Sequence, residues 1–174
     1  MKRAALFACL FLLAAPAYAE APGATGGPIV SQAERDVIAQ RVRGGAACAH
    51  CDLFQIDLSY QSIAGRDFTG ARIRQADLSL ATADSARFHA ANLSLTNLFG
   101  VRAGRADFSD ANLEGATLVG GYFGGARFGG AVLSGANLSG AELAGAQGLT
   151  QEQLNTACGD AQTTLPAGMT VRAC

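Results

Sequence analysis

With 174 residues the chain is of a size for a single domain. Its 13 basic and 14 acidic residues leave a formal net charge of −1, which excludes the broad basic footprint that nucleic-acid binding needs. Hydrophobic residues make up 49%, yet tryptophan is absent and aromatics are only 7%, so the apolar weight lies in small and aliphatic side chains.

Lys2 and Arg3 precede an apolar run from Ala4 to Ala15, and Ala17-Tyr18-Ala19 places small residues where a signal peptidase reads. Residues 1–19 are therefore expected to be a secretory signal peptide, cleaved before Glu20. That run is too short for a stable membrane span, and no later segment is long and apolar enough for one. Past Ala19 the chain keeps eleven arginines, no lysine and all 14 acidic residues, a charge of about −3. The expected location is the bacterial periplasm or the medium. Residues 20–28 read as a flexible Gly/Pro linker. Residues 29–47 are expected to form an N-terminal helical cap: Ser31 and Glu34 make a capping box, Val37, Ile38 and Val42 an apolar stripe, and Gly44 a stop.

From residue 48 to 148 one rhythm repeats: a small residue, a polar residue, a large apolar residue, then two residues of exposed type. It appears as Ala76-Asp77-Leu78, Ala91-Asn92-Leu93, Ala106-Asp107-Phe108, Ala136-Asn137-Leu138 and Ala141-Glu142-Leu143. The large residue returns every five positions from Leu53 to Leu143, which makes 19 units. In an extended segment alternate side chains point to opposite faces, so the small and large residues face inward and the polar one outward. The last two positions turn the chain, and Gly115, Gly120, Gly125, Gly130, Gly135 and Gly140 all share that phase.

The number of units per turn follows from two columns. Phe68, Phe88, Phe108 and Phe128 recur every 20 residues, and Asp67, Arg87, Asp107 and Arg127 stand one step before them with alternating charge. If four units close one coil, the phenylalanines form a core stack and the charges an outer salt-bridge ladder, because adjacent strands lie about 4.8 Å apart. Coils of three or five units would scramble both. One inner column reads Ile63, Ala83, Ala103, Phe123, Leu143, so the solenoid is expected to narrow, bend or deform near Ala83 and Ala103.

Tyr60, Leu80, Phe99 and Val119 are apolar residues on outward phases of one side of the predicted prism, with Leu95 on the neighbouring side. They form the candidate interaction surface, for self-association or for an unknown envelope protein. Chemistry is harder to find. Of the two histidines, His89 faces solvent with Ser109 one coil away and Asp84 one unit back. A weak envelope hydrolase would have to rest on His89, but a nucleophile, base and orienting acid converging in a cleft are not legible. The expectation is a non-enzymatic protein with no catalytic residue, cofactor or metal site.

The unit Ala-(Asp/Asn)-Leu-x-x resembles the pentapeptide-repeat family over about 100 residues. The resemblance implies an all-β fold, a right-handed quadrilateral parallel β-helix with type II or IV turns at its corners, here with short helical caps at both ends. It does not imply an enzyme. Well-understood members imitate duplex DNA and protect DNA gyrase. This chain departs from them: its signal peptide points to export, it has fewer than five coils, and Arg72, Arg74, Arg87, Arg102, Arg105 and Arg127 interrupt its acidic columns. A gyrase-directed DNA mimic is therefore the alternative reading rather than the first.

Residues 149–174 resemble the tail that follows many exported pentapeptide-repeat domains. Thr150 and Gln153 repeat the capping box, ahead of Leu154 and Ala157. Four cysteines remain past the signal peptide, and four allow three pairings. The solenoid separates its ends by roughly 20 Å or more, whereas bridged Cα atoms lie within about 7 Å. The pairing left is Cys48 with Cys51 and Cys158 with Cys174, the second anchoring the tail. Cys48 sits in register with the phenylalanine column and Cys51 with the small inward column, so that pair is either bridged or plain core. In Cys48-Ala49-His50-Cys51 a haem attachment would need histidine where Asp52 stands, zinc would need further ligands, and a thioredoxin-like motif belongs to another fold.

Overall fold

The computed structural model describes residues 31–174. The expected signal peptide over 1–19, the linker over 20–28 and the first two residues of the 29–47 cap lie outside the described residues.

The chain opens on α1, Gln32–Arg43. Ser31 caps it: its hydroxyl accepts from the Glu34 N–H and the Glu34 carboxylate accepts from the Ser31 N–H, which pairs two of the orphan donors of a helix start. Ala39 and Val42 turn inward and are buried. Two arginines tie this helix to the first coil. Arg43 donates from Nε and Nη2 to the Asp57 carbonyl at 3.2 and 3.1 Å, and Arg66 donates to the Val42 carbonyl.

Beyond it the backbone winds with one repeat. Parallel bridges run from Asp52–Arg72 to Arg127–Gln147, and each joins residues 20 apart at the middle of a three-residue segment. Four such segments make one coil. Each corner closes with a hydrogen bond from the small residue of the next unit to the carbonyl of the large residue, at 2.8–3.5 Å. The third residue of every corner from position 50 to 140 has φ between +53° and +73°, the mark of a type II turn. The small residue, most often alanine, and the large apolar residue of most units point into the tube, Gln61 and Arg66 being exceptions, and one buried apolar cluster runs from Leu53 to Leu143.

The phenylalanines stand one above another. Phe68, Phe88, Phe108 and Phe128 are stacked with centroids 5.1–5.3 Å apart and planes within 14°. The underfilled column does not deform the tube, contrary to the expectation from Ala83 and Ala103. The ladder passes through both, with Ala83 N–H to the Arg102 carbonyl at 2.6 Å and Ala103 N–H to the Tyr122 carbonyl at 2.8 Å. Both alanines are fully buried. The reason lies one coil on. The Phe123 ring stands edge-on to Phe128 in its own coil and to Phe108 in the coil of Ala103, at 5.7 and 6.0 Å, so one large ring serves two levels.

At the far end α2, Gln151–Thr156, carries its own capping box between Thr150 and Gln153. Gln153 Nε2 also donates to the Phe128 and Ala131 carbonyls at 2.8 and 2.7 Å, which seats the helix on the coil beneath. The ladder continues into the tail through Asn137–Cys158 and Glu142–Thr164. A parallel pair of two-residue strands, β1 at Cys158–Gly159 and β2 at Arg172–Ala173, finishes the chain. A Cys158–Cys174 disulfide holds this tail, and a Cys48–Cys51 disulfide lies at the mouth of the first coil.

Candidate interaction surface

The outward residue of each segment has a task beyond facing water. Asp or Asn at that position accepts a hydrogen bond from the backbone N–H two residues on: Asp57 from Ser59, Asp77 from Ser79, Asn97 from Phe99, Asp107 from Ser109 and Asn137 from Ser139, all at 2.9–3.1 Å. That N–H belongs to the second residue of the corner and has no partner in the ladder. The carboxylate or amide satisfies it, as in an Asx turn. This explains why the repeat prefers Asp and Asn to other polar residues.

Viewed coil by coil, the tube has four faces. One carries Asp52, Arg72, Asn92, Asn112 and Val132. The next carries Asp57, Asp77, Asn97, Thr117 and Asn137. The third carries Ser62, Thr82, Arg102, Tyr122 and Glu142, and the fourth Asp67, Arg87, Asp107, Arg127 and Gln147. On the fourth face the charges join two by two: Arg87 meets Asp67 at 2.7 Å and Arg127 meets Asp107 at 2.6 Å. Arg87 turns to Asp67 and not to Asp107, so the column is two separate pairs rather than a continuous ladder. Burial by itself would raise the Asp107 carboxyl, but the hydrogen bonds from Arg127 and Ser109 outweigh it and hold the group at about 2. The Asp67 carboxyl is also held below the ordinary range, first by Thr69 and then by Arg87.

The corner between the second and third faces holds the apolar residues singled out above. Tyr60, Leu80 and Phe99 are 74%, 44% and 49% exposed, and Val119 is half-buried. They belong to four successive coils, a rise of about 14 Å. A Cβ built on Gly100 would come within 2.7 Å of Leu80 Cδ2, so Leu80 lies across the bare backbone of the next coil, beside Phe99. Leu95, also exposed, lies likewise over Gly115 on the opposite corner of the second face. Two exposed apolar residues escaped the sequence reading, Tyr122 and Val132. Both occupy outward phases, so the repeat itself could have revealed them; Tyr122 covers the glycines at 104 and 124.

The other candidates are placed as follows. His89 Nδ1 meets the backbone carbonyl of Ser109 at 3.1 Å and an Asp110 carboxylate oxygen at 3.8 Å. Its ring nitrogen is thus engaged with a carbonyl and not with a hydroxyl nucleophile, and Asp84 is turned to Arg102 at 2.7 Å. Cys48 is buried, Cys51 is half-buried, and the pair lines a cavity of about 60 Å³ with Ile38, Arg41 and Val42 of α1. Among the described residues no group of three or more His, Cys, Asp or Glu is placed to hold a metal ion. No helix among them is long and apolar enough to cross a membrane.

The family model for pentapeptide repeats matches residues 67–100 and 106–145 with eight copies. No curated protein matches the sequence. Among solved structures, a pentapeptide repeat protein of the Arabidopsis thaliana thylakoid lumen is similar at 28% identity and a TM-score of 0.55, over 74% of this chain and 79% of that one. Another, from the cyanobacterium Cyanothece 51142, is 23% identical with a TM-score of 0.50, over 78% of this chain and 99% of its own. The five-residue rhythm, the 20-residue ladder and these matches agree, and the chain belongs to the pentapeptide-repeat family.

Proposed function

We propose that the protein is an exported, non-enzymatic interaction module that works in the periplasm or outside the cell and docks through the corner formed by Tyr60, Leu80, Phe99 and Val119. The observation that carries this reading is the placement of large exposed apolar side chains on successive coils of one corner, against faces otherwise dominated by Asp, Asn, Arg, Ser and Thr. A closely packed tube holds that corner rigid, which lowers the entropy lost on docking. The coil is taken as right-handed, the hand that parallel crossovers adopt. Export is supported by the charged start, apolar run and Ala17-Tyr18-Ala19, by two disulfides of the kind an oxidising compartment maintains, and by the luminal location of the Arabidopsis relative. The engaged His89 ring speaks against hydrolysis. The paired acidic columns speak against a DNA mimic acting on gyrase.

Two measurements test the reading. A mature N-terminus at Glu20 in a periplasmic fraction is the expected result for export, and full-length chain in the cytoplasm would overturn it. Envelope extract passed over immobilised protein should leave proteins that a Leu80→Ser, Phe99→Ser variant fails to retain. Equal retention on both would remove the corner from the proposal.

A further inference from the structure

The face beside the docking corner has a charge unlike that of the other three. Asp52, Asp67, Asp84 and Asp107 each meet an arginine one coil on, namely Arg72, Arg87, Arg102 and Arg127, at 2.6–3.2 Å. Asp57 and Asp77 lie in register on adjacent coils of the second face, and no ion pair reaches either among the described residues. Two other cations lie near this face. Arg43 sits at its lower end, engaged with the Asp57 backbone carbonyl. Arg74 stands at its far corner and lines a cleft with Asn92, Asn112 and Glu114 of the neighbouring face. The Asp57 carboxyl is held below the ordinary aspartate range, first by the hydrogen bonds from Ser59 and further by the Arg43 charge, so it is charged at neutral pH. Like charges in register on neighbouring strands repel. Among the four outward columns this one alone sets two carboxylates in register on adjacent coils, whereas Asp52, Asp67 and Asp107 each face an arginine.

Apolar side chains rise on one side of the two carboxylates, Tyr60, Leu80 and Phe99 on the docking corner, while Gln55, Arg74 and Gln75 stand on the other and Leu95 follows one coil on, beside Asn97. Three of the apolar residues, Tyr60, Leu80 and Leu95, sit at φ +57° to +58°, a conformation that glycine holds without steric cost at the same corners in later coils. The strip therefore offers two carboxylates that no ion pair reaches among the described residues, Asp57 with the Arg43 charge nearby, beside an apolar corner whose Tyr60 and Phe99 rings suit a cation. Its sign repels nucleic acid and anionic lipid.

We infer that this strip receives a cationic protein segment whose lysine or arginine side chains alternate with aliphatic or aromatic ones, the cation resting between Asp57 and Asp77 and the apolar groups on Leu80 and Phe99. The inference rests on the docking reading above and adds the class of partner.

Fluorescence anisotropy with three short labelled peptides tests it: one alternating Lys/Arg with Leu/Phe, one with Glu in place of the bases, and one with Ser in place of Leu and Phe. The basic apolar peptide should bind saturably and the other two should not, with affinity falling as salt rises. Asp57→Asn with Asp77→Asn keeps the hydrogen bonds to Ser59 and Ser79 while removing the charge, and should weaken binding about fivefold or more. Leu80→Ser with Phe99→Ser should weaken it about tenfold or more, and Asp67→Asn on another face should leave it unchanged. Equal affinity in the Asp57, Asp77 double variant overturns the inference. If the acidic apolar peptide binds with the same dependence on Leu80 and Phe99, the cationic class falls while the docking corner stands. If no peptide binding depends on any of the four residues, both fall.

Discussion

The lower and upper coils of the solenoid make the same corner from different residues. From His50 to Asp110, ten non-glycine residues hold φ of +53° to +58° at the third corner position, among them Gln55, Gln75, Ser85, Ala90 and Arg105. From Gly115 to Gly140 every such position is glycine. An L-residue in this region costs roughly 1–2 kcal/mol, yet the backbone does not differ between the halves. The ladder on either side of each corner fixes the conformation, and local preference is overridden. What the lower half gains is relief: side chains stand out from its corners, while the upper half is bare backbone there. The candidate docking strip lies where the strained corners are.

The largest expected effect ignores this difference, because the core is continuous across it. Phe108 touches Phe88, Phe123 and Phe128, and Phe108→Ala should lower stability by about 3–5 kcal/mol in a denaturant titration. A loss below about 1 kcal/mol would be incompatible with an internal ring stack. Next comes the tail. Serine at Cys158 and Cys174 removes a bridge that closes 16 residues and should cost about 3 kcal/mol; thermal melts of the upper end should show it.

The comparison itself is probed by exchanging residues between its two sides. Gly120 has φ +64° and open space where a Cβ would go, so Gly120→Ala isolates backbone strain and should cost about 1–2 kcal/mol. Ala90, at φ +53°, is the converse: Ala90→Gly should raise stability by up to about 1 kcal/mol. If both changes prove neutral, the corners do not store strain and the contrast between the halves has no energetic meaning.

The smallest effect is the acid response of the Asp107–Arg127 pair. The folded carboxyl is depressed to about 2 from an ordinary 3.8, so the pair's contribution is complete above 3.8 and is lost as pH falls toward 2. Exposure of the Arg127 side chain to solvent keeps it small. Asp107→Asn should reduce the fall in stability between pH 5 and 2, as followed by circular dichroism. An unchanged acid profile would show that the pair contributes nothing.

Much of this was legible in the sequence because a solenoid is read locally. Each unit touches only units near it in the chain or 20 residues away, so the phenylalanine spacing alone counted four segments per coil, and the outward phase marked Tyr60, Leu80, Phe99 and Val119. Three things needed contacts that spacing does not carry. A side chain that reaches toward a neighbouring level, as the Phe123 ring does toward Phe108 in the coil of Ala103, is invisible to a column written one residue per coil. A guanidinium between two carboxylates must choose one, and the alternation of Asp67, Arg87, Asp107 and Arg127 does not say which. The turn conformation at Leu80, Ala90 or Leu95 contradicts residue preference and follows only from the ladder on both sides.

The sequence by itself determined the tube: its period, its inward residues, the columns it stacks and the helix starts at Ser31 and Thr150. Only the tertiary structure decided which carboxylates meet an arginine, that the Phe123 ring meets rings of two coils, and which face sets carboxylates outside ion pairs beside an apolar corner. The physical reason is that periodic burial is a property of one chain segment repeated, whereas pairing and filling depend on which of several neighbours a side chain reaches once the coils are stacked.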